Sequence, residues 1–518
     1  MSTPLLAGEE YELSRRSSVG SERLPEFDEE QIRWRQDSPR SSSWLGRKLA
    51  HTITRLSGFS VRPGLRTSVQ YQQQSQSRPV YRVVSLLRIA LGGLLACILL
   101  TAIFFPSYTH LPPHYKNLQA RVQNANRHGA GNPRNETVFI AAVLYDPLGE
   151  IAHGPWGNAL VRLIKSLGEE NVFLSIYENS SGGGEGALQA LAEQVTCNKS
   201  IVSEAGLQLG SLPRVDLPGG EKRVRRIDYL AELRNRALLP LDQRDARRYD
   251  KLLYLNDVVF DPVDALQLLF STNADTHGVA QYRAACAVDF INPFKFYDTY
   301  ATRDLQGYEI GLPFYPWFTS AGKGASRRDV LSGRDAVRVR SCWGGMVAFD
   351  AHHFQGPDPV RFRAAGPELF WDASECCLVH ADIQDRPSRG PDGIADTGIY
   401  MNPFVRVSYD ARSHSWLWTT RRFEKLYSTV HGILSGLMGL PKTNPRRSEV
   451  PGRTVHNTVW MAEEDTNQGK GLGKFRKIER KASNDGFCGR RGMEVVLENR
   501  TPGQDGFETV PVPYLPHR

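Results

Sequence analysis

No two cysteines are spaced Cys-x-x-Cys and no zinc-finger, RRM or KH pattern occurs, so neither a structural zinc site nor a standard nucleic-acid module is indicated. No Gly-x-Ser-x-Gly follows an apolar run, which removes the hydrolase elbow. The glycine-rich stretch Ser181–Gly186 lacks the Gly-Lys-Ser/Thr ending of a phosphate loop and reads as a flexible turn. Acid is missing too: from Arg40 to Arg88 there are nine basic residues and no Asp or Glu, set within a formal net charge of +8. That density suits the anionic inner face of a membrane better than a folded nucleic-acid surface. The first 82 residues also have few apolar clusters and cannot repay their ordering entropy, so residues 1–82 read as a disordered basic cytoplasmic tail.

Charge is absent again from Ile89 to Phe105, and extended through Tyr108 this segment reaches the roughly 20 residues that span a bilayer. Apolar residues lie on every face, and the distance from Met1 argues against a cleaved signal peptide. Residues 83–108 therefore read as a transmembrane signal-anchor. Basic residues close to it are balanced, Arg78, Arg82 and Arg88 before against Lys116, Arg121 and Arg127 after, so charge sets orientation only weakly. Glycosylation acceptors at Asn135, Asn179, Asn198 and Asn499 all lie beyond the span, as do six of the seven cysteines. Both features place the rest of the chain in a lumenal, oxidising compartment, where disulfides are permitted but their connectivity stays open. Adjacent Cys376 and Cys377 are too close for an easy mutual bond; separate partners or buried thiols are expected.

Residues 109–134, polar and basic, read as a stem, and residues 135–430 as one α/β domain. Thr137–Leu144 is a continuous apolar run of strand length. A helix from Pro155 to Leu167, a strand from Asn171 to Tyr177, a helix from Glu185 to Val195 and a short strand at Ser200–Val202 succeed it. A helix from Ile227 to Leu239 and a strand from Lys251 to Asn256 come next, then a helix opened by Asp261-Pro262 as N-cap and first-turn proline. This alternation predicts a Rossmann-like parallel sheet with helices on both faces. Gly278–Phe290, Arg338–Phe349 and Tyr400–Tyr409 read as strands of a mixed second half. Residues 431–518 read as a mostly flexible extension with a folded-back piece near 486–497.

Ligands of open α/β sheets sit beyond the carboxyl ends of the strands, so the polar residues there are the candidates. They are Tyr145-Asp146, Glu178 and Asn256-Asp257. Asp257 stands where a carboxylate could hold a divalent metal against a diphosphate, the alternative being a turn-capping Asp. The helix carrying Arg226, Glu232, Arg234, Asn235 and Arg236 offers a basic and amide surface to a nucleotide diphosphate, or is simply a solvated face. Trp343-Gly344-Gly345 offers a ring face and close backbone approach to an acceptor sugar, or a bulge with a core Trp. Around Trp371–Ile383, Asp372 and Glu375 are catalytic candidates, and His380 and Asp382 could complete the metal shell with Asp257.

These residues lie in runs that resemble one known family. Asn171–Glu178, Tyr229–Ala237, Tyr254–Phe260, Tyr297-Asp298-Thr299 with Arg303-Asp304, Cys342–Gly345, Ser374–Cys377 with His380–Asp382, Asn402-Pro403 and Gly486–Arg490 together are similar to the fungal capsule-associated α-1,3-mannosyltransferases, glycosyltransferase family 69. The resemblance implies a GT-A-like fold and a type II Golgi enzyme moving mannose from GDP-mannose to the 3-hydroxyl of an acceptor mannose, with retention and with Mn²⁺. With the strand-end and helix readings above, Tyr145, Glu178, Arg226, Arg234, Asn235, Asn256 and Asp257 are the expected donor contacts, and the resemblance casts Glu375 as a positioning or electrostatic group. Asp146–Glu150 departs from the family, where Asn is expected. A different nucleotide sugar, or a non-catalytic scaffold or export role on the same fold, are the alternative functions.

Overall fold

The computed structural model describes residues 77–124, 128–180, 183–204, 206–243, 247–384, 388–389, 395–462, 473–498 and 506–513. Residues 1–76 of the expected tail, the start of the Ser181 run and the acceptor Asn499 lie outside the described residues. Two units divide between Cys97 and Ile98 and are taken separately.

Helix α1 runs from Ser77 to Phe104, and its 23-residue segment Arg82–Phe104 is long and apolar enough to cross a membrane. It starts and ends earlier than the Ile89–Tyr108 window. Tyr108 is a core residue instead, only 5 % exposed, its ring edge-on to Phe404 and its hydroxyl donating to the Val330 carbonyl at 2.9 Å. Nor is the next stretch a stem. Helix α2, Pro113–Asn124, packs on the domain through buried Tyr115 and Leu118, one turn apart on a polar helix. Asn402, fully buried, donates to the Tyr115 hydroxyl at 2.7 Å and to Thr272 at 2.8 Å, locking α2 down.

The first half alternates as its periodicity predicts. β1 (Val138–Leu144), α3 (Pro155–Leu167), β2 (Val172–Glu178), α4 (Glu185–Gln194), β3 (Asn198–Ser203), α5 (Arg226–Arg236), β4 (Lys251–Leu255) and α6 (Pro262–Phe270) succeed one another. Asp261 caps α6 by accepting from Val263 N. The second half adds β5 (Ala284–Phe290), β6 (Arg303–Asp304), α7 (Ala325–Leu331), β7 (Val337–Ser341), β8 (Met346–Asp350), α8 (Glu375–Ile383), β9 (Ile399–Ser408), α9 (Ala411–Thr420) and α10 (Lys425–Leu437). One nine-stranded sheet results, in the order β3-β2-β1-β4-β8-β5-β9-β7-β6. β1 to β4 are parallel neighbours, β8 is antiparallel to β4 and β5, and β5 is parallel to β9. The chain is thus a mixed α/β protein with a parallel-rich sheet.

Alternation along each strand divides the core in two. Ile140, Leu253, Leu255 and Ala348 face α3, α4 and α6, while Phe139, Leu252, Tyr254 and Phe349 face α5 and α8. The expected strand Arg338–Phe349 is in fact two strands, β7 and β8, separated by Cys342–Gly345. Gly344 and Gly345 have φ of 59° and 67°, which breaks the extended run. The Gly278–Phe290 strand shortens to β5, because Gly278 occupies a turn at φ 71°.

The domain does not close near residue 430. A polar hairpin, β10 (Thr454–Ala462) with β11 (Gly473–Lys481), comes after it, and Arg490–Arg491 pair with Trp371–Asp372. A disulfide joins Cys377 of α8 to Cys488, and another joins Cys286 to Cys342; Cys197 and Cys376 are free and buried. Fully buried Arg303 donates to the Phe487 and Cys488 carbonyls at 3.1 and 2.9 Å. The segment whose composition suggests flexibility is therefore held by long-range bonds.

The junction after α1 depends on one buried pair. Arg406 donates twice to Glu424, at 2.9 and 2.6 Å, with both side chains all but inaccessible, and Ser107 Oγ donates to the same carboxylate. Glu424→Gln leaves Arg406 without a counter-charge and is expected to cost about 3–5 kcal/mol, read as a fall in thermal midpoint of the detergent-solubilised chain.

Candidate functional site

The ends of β1, β2, β4, β5 and β9 and the start of β8 meet at one edge of the sheet, since β8 alone runs the other way among them. Asn256 marks its centre. Its backbone N–H donates to the Gly345 carbonyl at 2.9 Å and its own carbonyl accepts from Trp156 Nε1 at 2.9 Å. Its Oδ1 accepts from Trp343 Nε1 at 3.2 Å and from Arg234 at 3.4 Å.

Arg234 comes from the last turn of α5. Its guanidinium lies 4.4 Å from the Trp343 ring centroid, within 6 Å of Tyr254 and Phe362, and donates through Nε to Glu375 at 2.9 Å. Glu375 opens α8, where Ser374 caps the helix by accepting from Cys376 N at 3.2 Å. Burial alone would raise the Glu375 carboxyl, but the Arg234 charge outweighs it and holds the group below its ordinary value. Glu375 is therefore a fixed anion. Arg226, on the same helix as Arg234, contributes a further positive charge near Glu375 while pairing with Glu494 at 2.7 Å.

Asp372 behaves differently. It is 5 % exposed, and burial pushes its carboxyl up to about 7 against the pull of Arg225. The Tyr300 hydroxyl, itself raised by burial and by the Asp372 charge, lies beside it. Asp257 is partly buried and accepts no hydrogen bond from another residue among the described residues. Burial pushes it up to about 6, with Arg234 pulling down and Asp146 pushing up. The structure thus brings Arg234, Asn256, Asp257, Trp343, Glu375, Arg226 and Asp372 into one neighbourhood.

Other expected site residues are used by the fold. His380 is fully buried, bonded through Nδ1 to the Cys376 carbonyl at 2.6 Å, with Nε2 3.8 Å from Cys286 Sγ of the disulfide, and burial pushes it down to about 4. Asp382 is held by Arg363 through two bonds, at 2.7 and 2.9 Å. Among the described residues neither is gathered with Asp257, so the expected Asp257, His380 and Asp382 metal shell does not form. His380 lies close to two cysteines, but the disulfide between these leaves no thiolate to bind a metal.

Asn235 clamps the Phe362 backbone with both its amide atoms, at 2.9 Å each, rather than facing a nucleotide. Glu178 accepts from Asp146 N at 3.3 Å and from Ser203 Oγ at 2.6 Å, tying three strand ends together, and Tyr145 is buried. Trp343 is 4 % exposed, so its ring carries Arg234 rather than a sugar. A side chain at Gly344 would meet the Ala287 carbonyl oxygen at 2.0 Å and one at Gly345 would meet Val258 at 2.7 Å, so the glycines serve chain packing, not an acceptor. Glu232 and Arg236 form a surface pair at 2.8 Å. Asn179 is buried and donates to the Tyr229 hydroxyl at 2.8 Å, which excludes a glycan on the folded domain, whereas Asn135 and Asn198 are exposed. Asp146, the family departure, accepts from Ile151 N and Ala152 N and caps the turn after β1.

Sequence reasoning missed Asp289, Asp298 and Tyr409. Asp289, the penultimate residue of β5, accepts from Asp298 N and from the Tyr409 hydroxyl, both at 3.1 Å. Asp298 accepts from Thr302 at 3.0 Å and from Gly344 N at 3.4 Å. Burial and the Asp298 charge push the Asp289 carboxyl up, and the Tyr409 hydroxyl is raised by burial and then by Asp289, Tyr297, Asp257 and Asp298. The rule applied to β1, β2 and β4, which looks beyond the strand end, passes over Asp289 because it lies inside β5, one residue before Phe290.

Residues 137–382 match the family described as Cryptococcal mannosyltransferase 1. Over this domain the chain is similar to the capsule-associated mannosyltransferases. The alpha-1,3-mannosyltransferase CMT1 of Cryptococcus neoformans var. neoformans serotype D is 27 % identical over 244 residues, covering 44 % of this chain and 50 % of that protein. The chain therefore spans about half the length of this curated relative. Two solved structures also align: the mannosyltransferase PcManGT from Pyrobaculum calidifontis in complex with GDP-Man and Mn²⁺, and S. aureus TarS 1-349. The first has a TM-score of 0.30 and 11 % identity over 62 % of this chain and 70 % of that one. The second has 0.25 and 8 % over 58 % and 69 %. At those scores neither bears on substrate or metal.

Asp372 supplies a pH test. Folded, it keeps its proton to about pH 7, whereas unfolded it releases it in the ordinary carboxylate range. Stability is therefore expected to fall as pH rises from about 4 to about 7, by on the order of 2–4 kcal/mol from this group. Denaturant melts of Asp372→Asn, which preserves the acceptor oxygen for Ala373 N, should lack that part of the fall and exceed the parent at pH 8.

Proposed function

We propose that the protein is a glycosyltransferase that moves mannose from GDP-mannose to the 3-hydroxyl of an acceptor mannose, with retention, in glycan or polysaccharide synthesis for the capsule or cell wall. The observation that carries this is the gathering of Asn256, Asp257, Arg234 and Glu375 at one sheet edge, all within the family-matched residues 137–382. The GT-A-like reading of the fold rests on the same edge, where a nucleotide sugar would lie beyond the strand ends. The domain would be lumenal, held by α1 as a single-pass type II anchor in the Golgi membrane, with glycans at Asn135 and Asn198.

Mn²⁺ fits the chemistry of Asp257: a partly buried carboxylate with no donor from another residue, whose raised proton affinity marks an undercompensated charge. Asp257 would hold the ion, with the Asn256 amide already committed to Arg234 and Trp343. When bound, the metal would neutralise the diphosphate as it leaves. The remaining work falls to the chain. Arg234 fixes Asn256 and Glu375 through its hydrogen bonds; Glu375, ionised and bonded to Arg234, is better suited to stabilise a developing cationic sugar than to attack it. Asp372, which keeps its proton close to neutrality, can donate a hydrogen bond to an acceptor hydroxyl.

The full chain in detergent, supplied with GDP-mannose, an α-mannoside and Mn²⁺, should release an α-1,3-linked product identified by NMR. Asp257→Asn should lower kcat/KM by roughly 100-fold or more, about 2.7 kcal/mol at the transition state. Transfer from another nucleotide sugar alone would overturn the donor, and no turnover by a folded chain with any donor would favour a scaffold. Digestion of the domain by protease added to sealed microsomes would overturn the lumenal orientation.

A further inference from the structure

The face built by α9 and α10 has not been used by the site. It carries large apolar side chains in the open: Trp416 at 52 % and Trp418 at 51 % on α9, and Val430 at 50 %, Ile433 at 66 %, Leu434 at 44 % and Leu437 at 75 % on α10. The α10 residues recur at i, i+3, i+4 and i+7, a single stripe, while His431 and Ser435 on the opposite side are buried in the domain. A soluble helix normally buries its apolar stripe; this one presents it outward.

Charge along these two helices is mostly of one sign, apart from Asp410, which caps the start of α9. Arg412, Arg422 and Lys442 are exposed around the stripe, and from Ala411 to Ser448 the sole acid is Glu424, which is buried against Arg406. Tryptophans and cations beside an apolar helix stripe are the composition of a surface that lies in a membrane interface.

Covalent continuity states where that membrane is. Arg421, between α9 and α10, accepts from Ser107 N at 2.9 Å through its carbonyl and donates from Nη1 to the Tyr108 carbonyl at 3.2 Å. Ser107 lies three positions beyond Phe104, the last residue of α1, so the corner between α9 and α10 is within roughly 11 Å of chain from the end of that helix. If α1 crosses a bilayer, as the proposed function holds, this corner cannot be far from its surface.

We propose that α10 forms a membrane-docking surface, its apolar stripe entering the lipid headgroup and upper acyl region beside the anchor, joined there by one of the two α9 tryptophans, which lie roughly 200° apart on their helix. The domain is then seated on the bilayer at two places, the helix that crosses it and the face that lies on it, which restricts the directions in which its sheet edge can point.

The test uses the full chain in phosphatidylcholine vesicles, with Cys97→Ser to remove the exposed thiol and an environment-sensitive fluorophore on Ile433→Cys or Leu437→Cys. Leu148→Cys, exposed at 77 % and outside α9 and α10, is the control. Brominated acyl chains should quench the 433 and 437 probes roughly twofold or more and leave the 148 probe unchanged. Trp416→Ser/Trp418→Ser should weaken that quenching while the melting midpoint in detergent stays the same. Probes at 433 and 437 as little quenched as the one at 148, in protein that survives an alkaline wash of the vesicles, would overturn the docking surface and leave the anchor standing. Release of the protein by that wash would overturn the anchor and the docking surface together. Cross-linking of 433 to 433 without quenching would assign the face to a second copy and overturn the proposal.

Discussion

A buried guanidinium must find its counter-charge inside the protein, and Arg234 finds it in Glu375. Much else at the sheet edge depends on that requirement. The pairing fixes the distance between α5 and the first turn of α8; the same cation needs an aromatic floor, which Trp343 provides, and an acceptor, which Asn256 provides. Trp343 can serve because Gly344 and Gly345 bring the chain back sharply enough to lie against β5 and β4. Residues from four separate stretches of sequence are thus positioned by one charge.

The first half of the fold was legible because its signals are local. Pro155 and Gly168 bracket α3, Asp261 caps α6, and β1 and β4 are apolar runs that only a sheet buried on both faces accommodates. The second half was less so because its signals are not. Arg338–Phe349 looks continuous until one knows that Ala287 occupies the space where a side chain at Gly344 would go. Tyr115 and Leu118 are too few to announce a packed helix in a polar stretch, and the hairpin of β10 and β11 is polar in composition yet ordered by pairing along its whole length.

At the site, position along a strand was informative and helix face was not. Asn256 and Asp257, just beyond β4, do lie at the converging edge. On α8, by contrast, residues 375 and 382 share a face two turns apart while 380 is turned away, and spacing alone could not say that only Glu375 meets Arg234. Helical periodicity turns 380 about 140° from 375, and 382, on the same face as 375, lies two turns further along, so His380 goes into the core and Asp382 reaches Arg363 instead of Arg234. Asn179 shows the same limit for modification: the acceptor triplet is present, but the side chain is spent on Tyr229.

The disulfide between Cys377 and Cys488 has a consequence in time as well as in space. The helix that carries Glu375 is fastened to a cysteine 111 residues further along the chain, so the ribosome must deliver that later segment before the helix can be locked. Locking of the sheet edge is thereby coupled to synthesis through Cys488 and to oxidation of both thiols. A chain stalled, truncated before Cys488 or kept reduced would carry the charged residues of the site without the covalent strap that holds their helix in register.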